Sequence, residues 1–500
     1  MARFNGGANA GHTVVVPSTT GAPPKKFAFH QLPCGILHPR TVNLIGNGCV
    51  VHLGGLLEEL KPLDAAGIDW KGALGRRPAE WRPRARALAH FLATPISPRL
   101  RALSRPRPAA GRLKLSDRAT LLFDFHKAVD GLSETRRVAA GGAGAAIGTT
   151  KQGIGPAYAS KAARNAVRVG HLLHRSSLHE RLRRLCADTS AQYGVDIDVA
   201  AELAKADAAA EAVAGWVVDG AALVHGALAG GQRVLAEGAN AAMLDVDFGT
   251  FPFVTSSSTT AGGVCTGLGV PPSRVHAVVG VVKAYTTRGG GGPFPSELTD
   301  ARGGGERPMH AEGTDIGLHL QTVGGEVGVT CVRRLRRRRR RRRRARAAAG
   351  CAHRQPPFPL LRPPPPRRST GRKRRCGWFD AVVVRYSHAL NGFTALNLTK
   401  LDVLDELAEI KIAVGYKLRG APLPPQAFPA LLEDLSAVEV EYETMPGWQT
   451  STRGVTTFAA LPKRAQAYVR RLERLTGVPV AYIGTGPGRH EMITRGFSFD

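Results

Sequence analysis

The 500-residue chain contains no uninterrupted apolar run of about eighteen residues, which excludes a membrane-spanning helix of ordinary type. Its seven cysteines stand singly at 34, 49, 186, 265, 331, 351 and 376, and none forms a CxxC pair. A zinc ribbon and a secreted disulfide framework are therefore not indicated. Met1–Val16 lacks the charged-then-apolar pattern of a secretory signal, so a reduced, cytoplasmic setting is the default expectation. Acidic residues are also scarce: 39 Asp+Glu stand against 69 Lys+Arg, a net charge of +30. Such a balance is ordinarily that of a nucleic-acid binder. An apolar content of 43% is nevertheless enough for a real core.

The basic charge is not evenly spread. Residues 73–111 hold nine Arg and one Glu (+8), and residues 331–369 hold sixteen Arg and no acid (+16). Those two stretches supply +24 of the +30, leaving about +6 for the rest, an ordinary value for a soluble enzyme. Both are dominated by Arg, Pro and Ala, with prolines that break a long helix and no strand alternation. Like charges repel and neither stretch has an apolar face, so both are expected to be disordered.

The remainder reads as alternating strands and helices. Ala277–Tyr285 has the pattern of a buried strand, and Phe379–Tyr386 and Ile410–Leu418 read as further strands. Ala200–Ala229 reads as an Ala-rich helix, and Pro462–Leu475 as an amphipathic helix stopped at Gly477, before a strand over Val478–Ile483. The expectation is a large single α/β domain around a mostly parallel sheet.

Several Gly-rich loops are expected where strands end. Asn5–His12 combines glycines, which let a backbone approach a ligand, with asparagine amides and a histidine able to act as a general acid. A turn with an incidental histidine has the same composition. Ile147–Tyr158 sets paired threonines before Gly-x-Gly, a pattern in which hydroxyls and free N–H groups can converge on phosphate; a plain turn is the alternative. Glu237–Ala241 and Asp245–Gly263, with its long Ser/Thr run, read as a binding loop rather than an exposed spacer, because burying so many hydroxyls without partners is costly. Thr399-Lys-Leu-Asp402 is similar to the guanine-reading loop of GTP-binding proteins, whose carboxylate accepts hydrogen bonds from guanine N1 and N2; a surface ion pair would look the same. Gly484–Arg489 follows an expected strand and could contact a base or ribose.

Taken together these blocks resemble one family, adenylosuccinate synthetase. The matching segments are NAGHTVVV (9–16), LIGNGCVVH (44–52), IGTTKQGIGPAY (147–158), VTSSSTTAGG (254–263), KAYTTR (283–288), GPFPSEL (292–298), LTKLDVLDEL (398–407), YETMPGW (442–448) and GVPVAYIGTGP (477–487). The resemblance implies a P-loop-NTPase-like GTP site. It also implies a two-step reaction, in which IMP O6 takes the γ-phosphoryl group of GTP and the amino group of L-aspartate then displaces phosphate at C6.

By motif position the resemblance implies His12 as general acid and the Gly11 carbonyl as ligand to one Mg²⁺ per subunit. Asn9, Ala10, Gly11, His12, Thr150, Arg164, Asn240, Thr255 and Arg372 would hold IMP. Arg164 would reach across a homodimer interface, and Asn240 stands where some members have Gln. Val329, Thr330, Thr370, Gly371, Arg372, Lys373 and Arg374 would form the aspartate loop, suited to a carboxylate by its guanidinium groups. Arg374, Lys400, Leu401, Asp402, Gly484, Thr485 and Gly486 would bind GTP.

The resemblance also implies direct joins from Gly72 to Arg112 and from Thr330 to Thr370. The two basic segments are therefore expected to be translated introns of a GC-rich gene, the rival being a nucleic-acid-binding arm. The family's Gly-Asp-Glu-Gly-Lys-Gly-Lys phosphate loop, with its general base, has no counterpart in the sequence; any transit peptide would lie upstream with it. Because of that loop and the sixteen arginines in the aspartate loop, the chain as written is expected to show little synthetase activity. The alternative is an inactive, IMP-binding product.

Overall fold

The computed structural model describes residues 1–9, 11–16, 25–72, 111–142, 145–298, 316, 319–320, 327–329 and 370–497, with backbone alone at 327–329 and 370–373. Ala10, Thr330 and nearly all of the two basic segments (73–110 and 331–369) lie outside those residues.

Two parallel sheets organise the described chain. In the first, the strand order is Val217–Val218, Leu113–Ser116, Asn43–Ile45, Ala2–Arg3 and Ala236–Glu237, every neighbour parallel. In the second, Val279–Lys283, Ala395–Thr399 and Val480–Gly484 run parallel, and Met492–Thr494 closes the edge antiparallel. A separate antiparallel pairing joins Glu409–Leu418 to Val438–Pro446. Each parallel sheet buries its own core. The first gathers Ile45, Leu56, Leu113, Leu115, Leu182 and Val213, the second Leu396, Leu398, Ile412, Tyr468, Leu472 and Ile483.

The helix Lys463–Thr476 shows how pattern becomes packing. Ala465, Tyr468, Val469 and Leu472 recur at helical spacing and are all buried, each large one contributing about 1.5–3 kcal/mol. The helix stops at Gly477, whose φ of 71° lies in the left-handed region that glycine tolerates.

Four expectations need correction. The Phe379–Tyr386 run is a strand only at Phe379–Asp380; Ala381–Asn391 is a helix. The Asp380 carboxylate caps it, accepting from the N–H groups of Val382 and Val383 at 3.1 and 3.2 Å. That cap, and burial of Ala381, Val382 and Val384, override the strand preference of three valines. The Ala200–Ala229 stretch is two helices, Val199–Val213 and Gly220–Ala229, split by the strand Val217–Val218. Asp219 starts the second by capping Ala222 N–H at 3.0 Å. Ala277–Tyr285 contains the strand Val279–Lys283, but at a sheet edge, with Val281 71% exposed. Finally, the Ile147–Tyr158 loop does not follow a strand: it leaves the helix Asp124–Gly141 and enters the helix Ile154–Ala162.

Candidate active site

The first sheet delivers three loops to one place. After the Ala2–Arg3 strand the chain turns through Gly6, at φ 74°, where a Cβ would stand 2.8 Å from Ala239 Cβ and 3.2 Å from Asn240 Oδ1. Glycine is required at that approach. Asn5 is buried and ties the turn to both partners: its Nδ2 donates to Ser257 Oγ at 3.3 Å, and its Oδ1 accepts from Ala239 N–H at 3.0 Å. Asn9 Oδ1 accepts from Gly7 N–H at 3.2 Å, and Asn9 Nδ2 donates to Thr255 Oγ1 at 3.3 Å. Asn9, Asn240 and Thr255, far apart in sequence, thus converge. Asn240 Oδ1 is buried with no hydrogen-bond partner among the described residues, an acceptor whose desolvation a ligand donor would offset.

The polar run is held from beneath by Asp245. Its carboxylate accepts from the N–H groups of Asp247, Phe248, Thr259 and Thr260 at 2.9, 3.2, 2.6 and 3.3 Å. Burial pushes this carboxyl up, but the four N–H donors together outweigh it and hold the pKa below the ordinary value.

The threonine loop is anchored differently from the expectation of free N–H groups. Glu134 accepts from Gly148 N–H at 2.6 Å and Thr149 N–H at 3.3 Å, and Asp130 accepts from Gly153 N–H at 2.9 Å. A Cβ on Gly153 would come within 2.7 Å of the His126 backbone, so only glycine lets the loop lie on that helix. These N–H groups are spoken for, which leaves side chains such as Thr150 to meet an anion. The following helix reaches the Gly6 turn: Gly6 N–H donates to Tyr158 Oη at 3.0 Å, and Tyr158 donates to Gly48 O at 2.7 Å. A Cβ on Gly155 would lie 3.4 Å from Ser256 Oγ, next to Thr255. Arg164, at φ 65°, ends this helical segment on the surface.

The second sheet carries the expected guanine site. Gly484 packs against the end of the neighbouring strand, where a Cβ would stand 3.4 Å from Thr399 Cα and 3.7 Å from Lys400 N. Lys400 adopts φ 62° and so starts the turn that presents Asp402. Burial, then the neighbouring Asp405 charge, pushes the Asp402 pKa above its ordinary value. Asp405 itself braces the YETMPGW block, accepting from Trp448 Nε1 at 2.8 Å and from Thr452 N–H and Oγ1 at 2.7 and 2.8 Å. Leu401 and Thr485 are fully buried, so any contact they make with a nucleotide comes through the backbone. Thr485 Oγ1 is spent on Val455 O at 2.9 Å.

A brace of arginines links the two halves. Arg288 donates to Thr250 Oγ1 at 2.8 Å and to Gly291 O at 2.8 Å. Burial, with the nearby Arg375 charge, pulls its pKa down to about 10. Arg375 pairs with Glu297, donating from Nε at 2.7 Å. The expected aspartate loop forms an antiparallel ribbon in which Val329 stands opposite Thr370 and Gly328 opposite Arg372. Arg374 continues from that ribbon and is half-buried.

His12, on the strand beside Phe29, sits with Nε2 3.6 Å from Glu237 Oε1. Cys34 donates to the same carboxylate from Sγ at 3.3 Å and from its backbone N at 3.0 Å. Magnesium takes an octahedron of oxygen ligands. Near Gly11 the described residues offer a carbonyl, an already engaged carboxylate, an imidazole and a thiol. That donor set does not fit magnesium.

Asp130 and Glu134 escaped the sequence reading, whereas Asp245, Arg288 and Glu297 stand in segments it singled out but received no role there. Asp130 and Glu134 stand four apart on one helix, the spacing that puts two acids on one face, and this was their only local signal.

The family model for adenylosuccinate synthetase matches residues 1–75, 101–340 and 367–493, and its two breaks, 76–100 and 341–366, fall inside the two basic segments. The chain is 42% identical over 495 residues to adenylosuccinate synthetase 1 of Laccaria bicolor, covering 99% of this chain and 92% of that one. Against the chloroplastic adenylosuccinate synthetase of Chlamydomonas reinhardtii it is 41% identical over 497 residues, covering 99% and 86%. The structure of fully ligated adenylosuccinate synthetase from Plasmodium falciparum superposes with a TM-score of 0.75 at 33% identity, covering 99% of this chain and 93% of that one. By these matches the chain belongs to the adenylosuccinate synthetase family of GTP-dependent ligases.

Proposed function

We propose that the chain condenses IMP with L-aspartate, using GTP as phosphoryl donor, through 6-phosphoryl-IMP. The observation that carries this reading is the convergence of Asn9, Thr255 and the unpartnered Asn240 amide oxygen on one loop cluster. Asn9 and Asn240 orient the base, and Thr150 and Thr255 meet the IMP phosphate. His12 serves as the acid, its ring held by Glu237 and the edge of Phe29. Phosphoryl transfer makes O6 a good leaving group, so the protein's task is positioning and charge stabilisation. The γ-phosphorus bonds to IMP O6 as the bridge to GDP breaks and the IMP N1 proton passes to solvent; the aspartate nitrogen then bonds to C6 and gives up a proton to solvent as phosphate leaves. Val329, Thr370, Gly371, Arg372, Lys373 and Arg374, with Thr330 outside the described residues, receive the aspartate carboxylates. Any magnesium would arrive with the GTP phosphates, since the described residues do not build its site.

Lys400 and Asp402 read guanine, with Gly484, Thr485 and Gly486 alongside. Arg164 completes the IMP phosphate site of a second copy, making the working unit a cytoplasmic homodimer. Among the described residues no helix is long and apolar enough to cross a membrane. The two basic segments are additions to this ligase, and the chain carrying them turns over slowly.

Calorimetric titration with IMP and GTP, followed by a coupled turnover assay, tests the reading. Saturable IMP binding that weakens about tenfold in Asn9→Ala, on the scale of one lost hydrogen bond, supports it. Absence of IMP binding by the folded chain would sink it. IMP binding without turnover in a segment-free chain would leave only the inactive, IMP-binding alternative.

A further inference from the structure

His12, Cys34 and Glu237 come from three separate elements: a hairpin strand, a 3-10 turn and an edge strand of the first sheet. One ligand atom of each lies within 4.8 Å of the other two. Two of the edges are 3.6 Å (His12 Nε2 to Glu237 Oε1) and 3.3 Å (Cys34 Sγ to Glu237 Oε1). A tetrahedral zinc ion with bonds of about 2.0–2.3 Å has ligand–ligand edges of about 3.3–3.8 Å. The cluster is therefore close to the size such an ion requires before any movement.

We propose that His12 Nε2, Cys34 Sγ and a Glu237 carboxylate oxygen bind one divalent cation of the zinc class, and that its occupation withdraws His12 from the reaction. The second half of this statement rests on His12 as the acid of the proposed reaction; the first half does not. The donor types select the metal: imidazole, thiolate and one carboxylate suit zinc or cobalt, whereas magnesium and calcium require oxygen shells. Three protein ligands leave a fourth position for water or a phosphate oxygen, the pattern of an open site rather than a closed structural one.

Rigid second contacts hold two of the ligands in place. Cys34 N–H donates to Glu237 Oε2 at 3.0 Å, so the carboxylate can turn Oε1 to the metal without losing its anchor. His12 packs edge-on to Phe29, the ring centroids 5.8 Å apart. On binding, the Cys34 S–H bond breaks, the sulfur electron pair forms the S–metal bond, and the proton leaves to solvent. Burial, then Glu237, holds the free thiol up at about 12, while Arg3 and Arg489 pull towards the thiolate that the metal needs.

The test uses the full chain, freed of metal and kept in a phosphine reductant, titrated with Co²⁺ alone and then with Zn²⁺. The expected result is one equivalent of Co²⁺ with a near-ultraviolet thiolate-to-cobalt charge-transfer band, displaced by Zn²⁺. Cys34→Ser should lose the band and weaken zinc binding at least tenfold with unchanged circular dichroism. Glu237→Gln should keep the band and weaken binding, which covers the case in which the serine variant fails to fold. Cobalt binding without a thiolate band, or full zinc affinity in a folded Cys34→Ser, overturns the site whatever the turnover assay shows. In turnover, zinc should inhibit the native chain and spare Cys34→Ser. Zinc bound with the band present and turnover unchanged would overturn the inhibitory half alone.

Discussion

The two basic segments interrupt the chain at places of different character. At the first, the flanks are locked together: a Cβ on Gly72 would touch Arg112 Cγ at 2.8 Å, and one on Gly111 would lie 2.7 Å from Lys71 O. Arg112 fixes the junction by donating to Asp69 O at 2.9 Å, Ile36 O at 3.0 Å and His38 O at 2.6 Å. At the second, the flanks are strand partners, Val329 opposite Thr370. At both junctions the described flanks contact one another directly. The first, however, lies beside the Lys71–Asp64 ion pair, whereas the second lies in the ribbon proposed to receive aspartate. Loop length alone costs little, because closure entropy grows slowly. What separates the two is charge: the first segment carries nine arginines and the second sixteen.

The largest effect that would sharpen this comparison is in polyanion binding. A chain carrying 331–369 should bind heparin or RNA, and affinity should fall by about 10³ or more between low and moderate salt. Deleting 331–369 should abolish that binding, and deleting 73–111 should reduce it far less. Equal losses from the two deletions, followed by electrophoretic mobility shift, would break the distinction.

Asp402→Asn comes next. If this half-buried carboxylate accepts two guanine hydrogens, worth about 1.5–3 kcal/mol, KM for GTP should rise about tenfold to 10²-fold and preference over ATP should collapse. The same residue predicts a pH effect. Its folded pKa is raised, and the neutral carboxyl is a poorer acceptor for guanine N–H groups. Guanine binding should therefore fade on acidification from a higher pH than an ordinary aspartate would set. A GTP affinity flat with pH down to the ordinary aspartate range would contradict this.

Glu134→Ala is a smaller perturbation. It strips the acceptor from Gly148 and Thr149 N–H, and should cost about 1–3 kcal/mol in denaturant unfolding and weaken IMP several-fold. Smallest of all is excision of 73–111 with Gly72 joined to Arg112. Stability should change by about 1 kcal/mol or less, since the Gly111 approach to Lys71 is the described contact that is lost, and IMP binding should not change.

Much of the site was legible because its chemistry is written in short loops. Asn9, Asn240 and Thr255, read from separate motifs, lie together, and Gly484 lies against Thr399 and Lys400. What was not legible depended on partners far away in sequence. Nothing in Gly148-Thr149 reveals that their N–H groups face Glu134 rather than a phosphate. The valines of 382–384 look like a strand until Asp380 is seen capping a helix against the core. Val281 reads as buried, yet it lies on an edge strand and is exposed. Alternation reports apolar character, while burial depends on which strand lies beside it.

An IMP-binding core is expected to close across both junctions. Calorimetric titration of IMP into the chain with 73–111 and 331–369 both excised tests it most directly. A cooperatively folded protein that binds one IMP per chain, at least as tightly as the uncut chain, is the predicted result. A shortened chain that fails to fold, or folds without binding IMP, would contradict it.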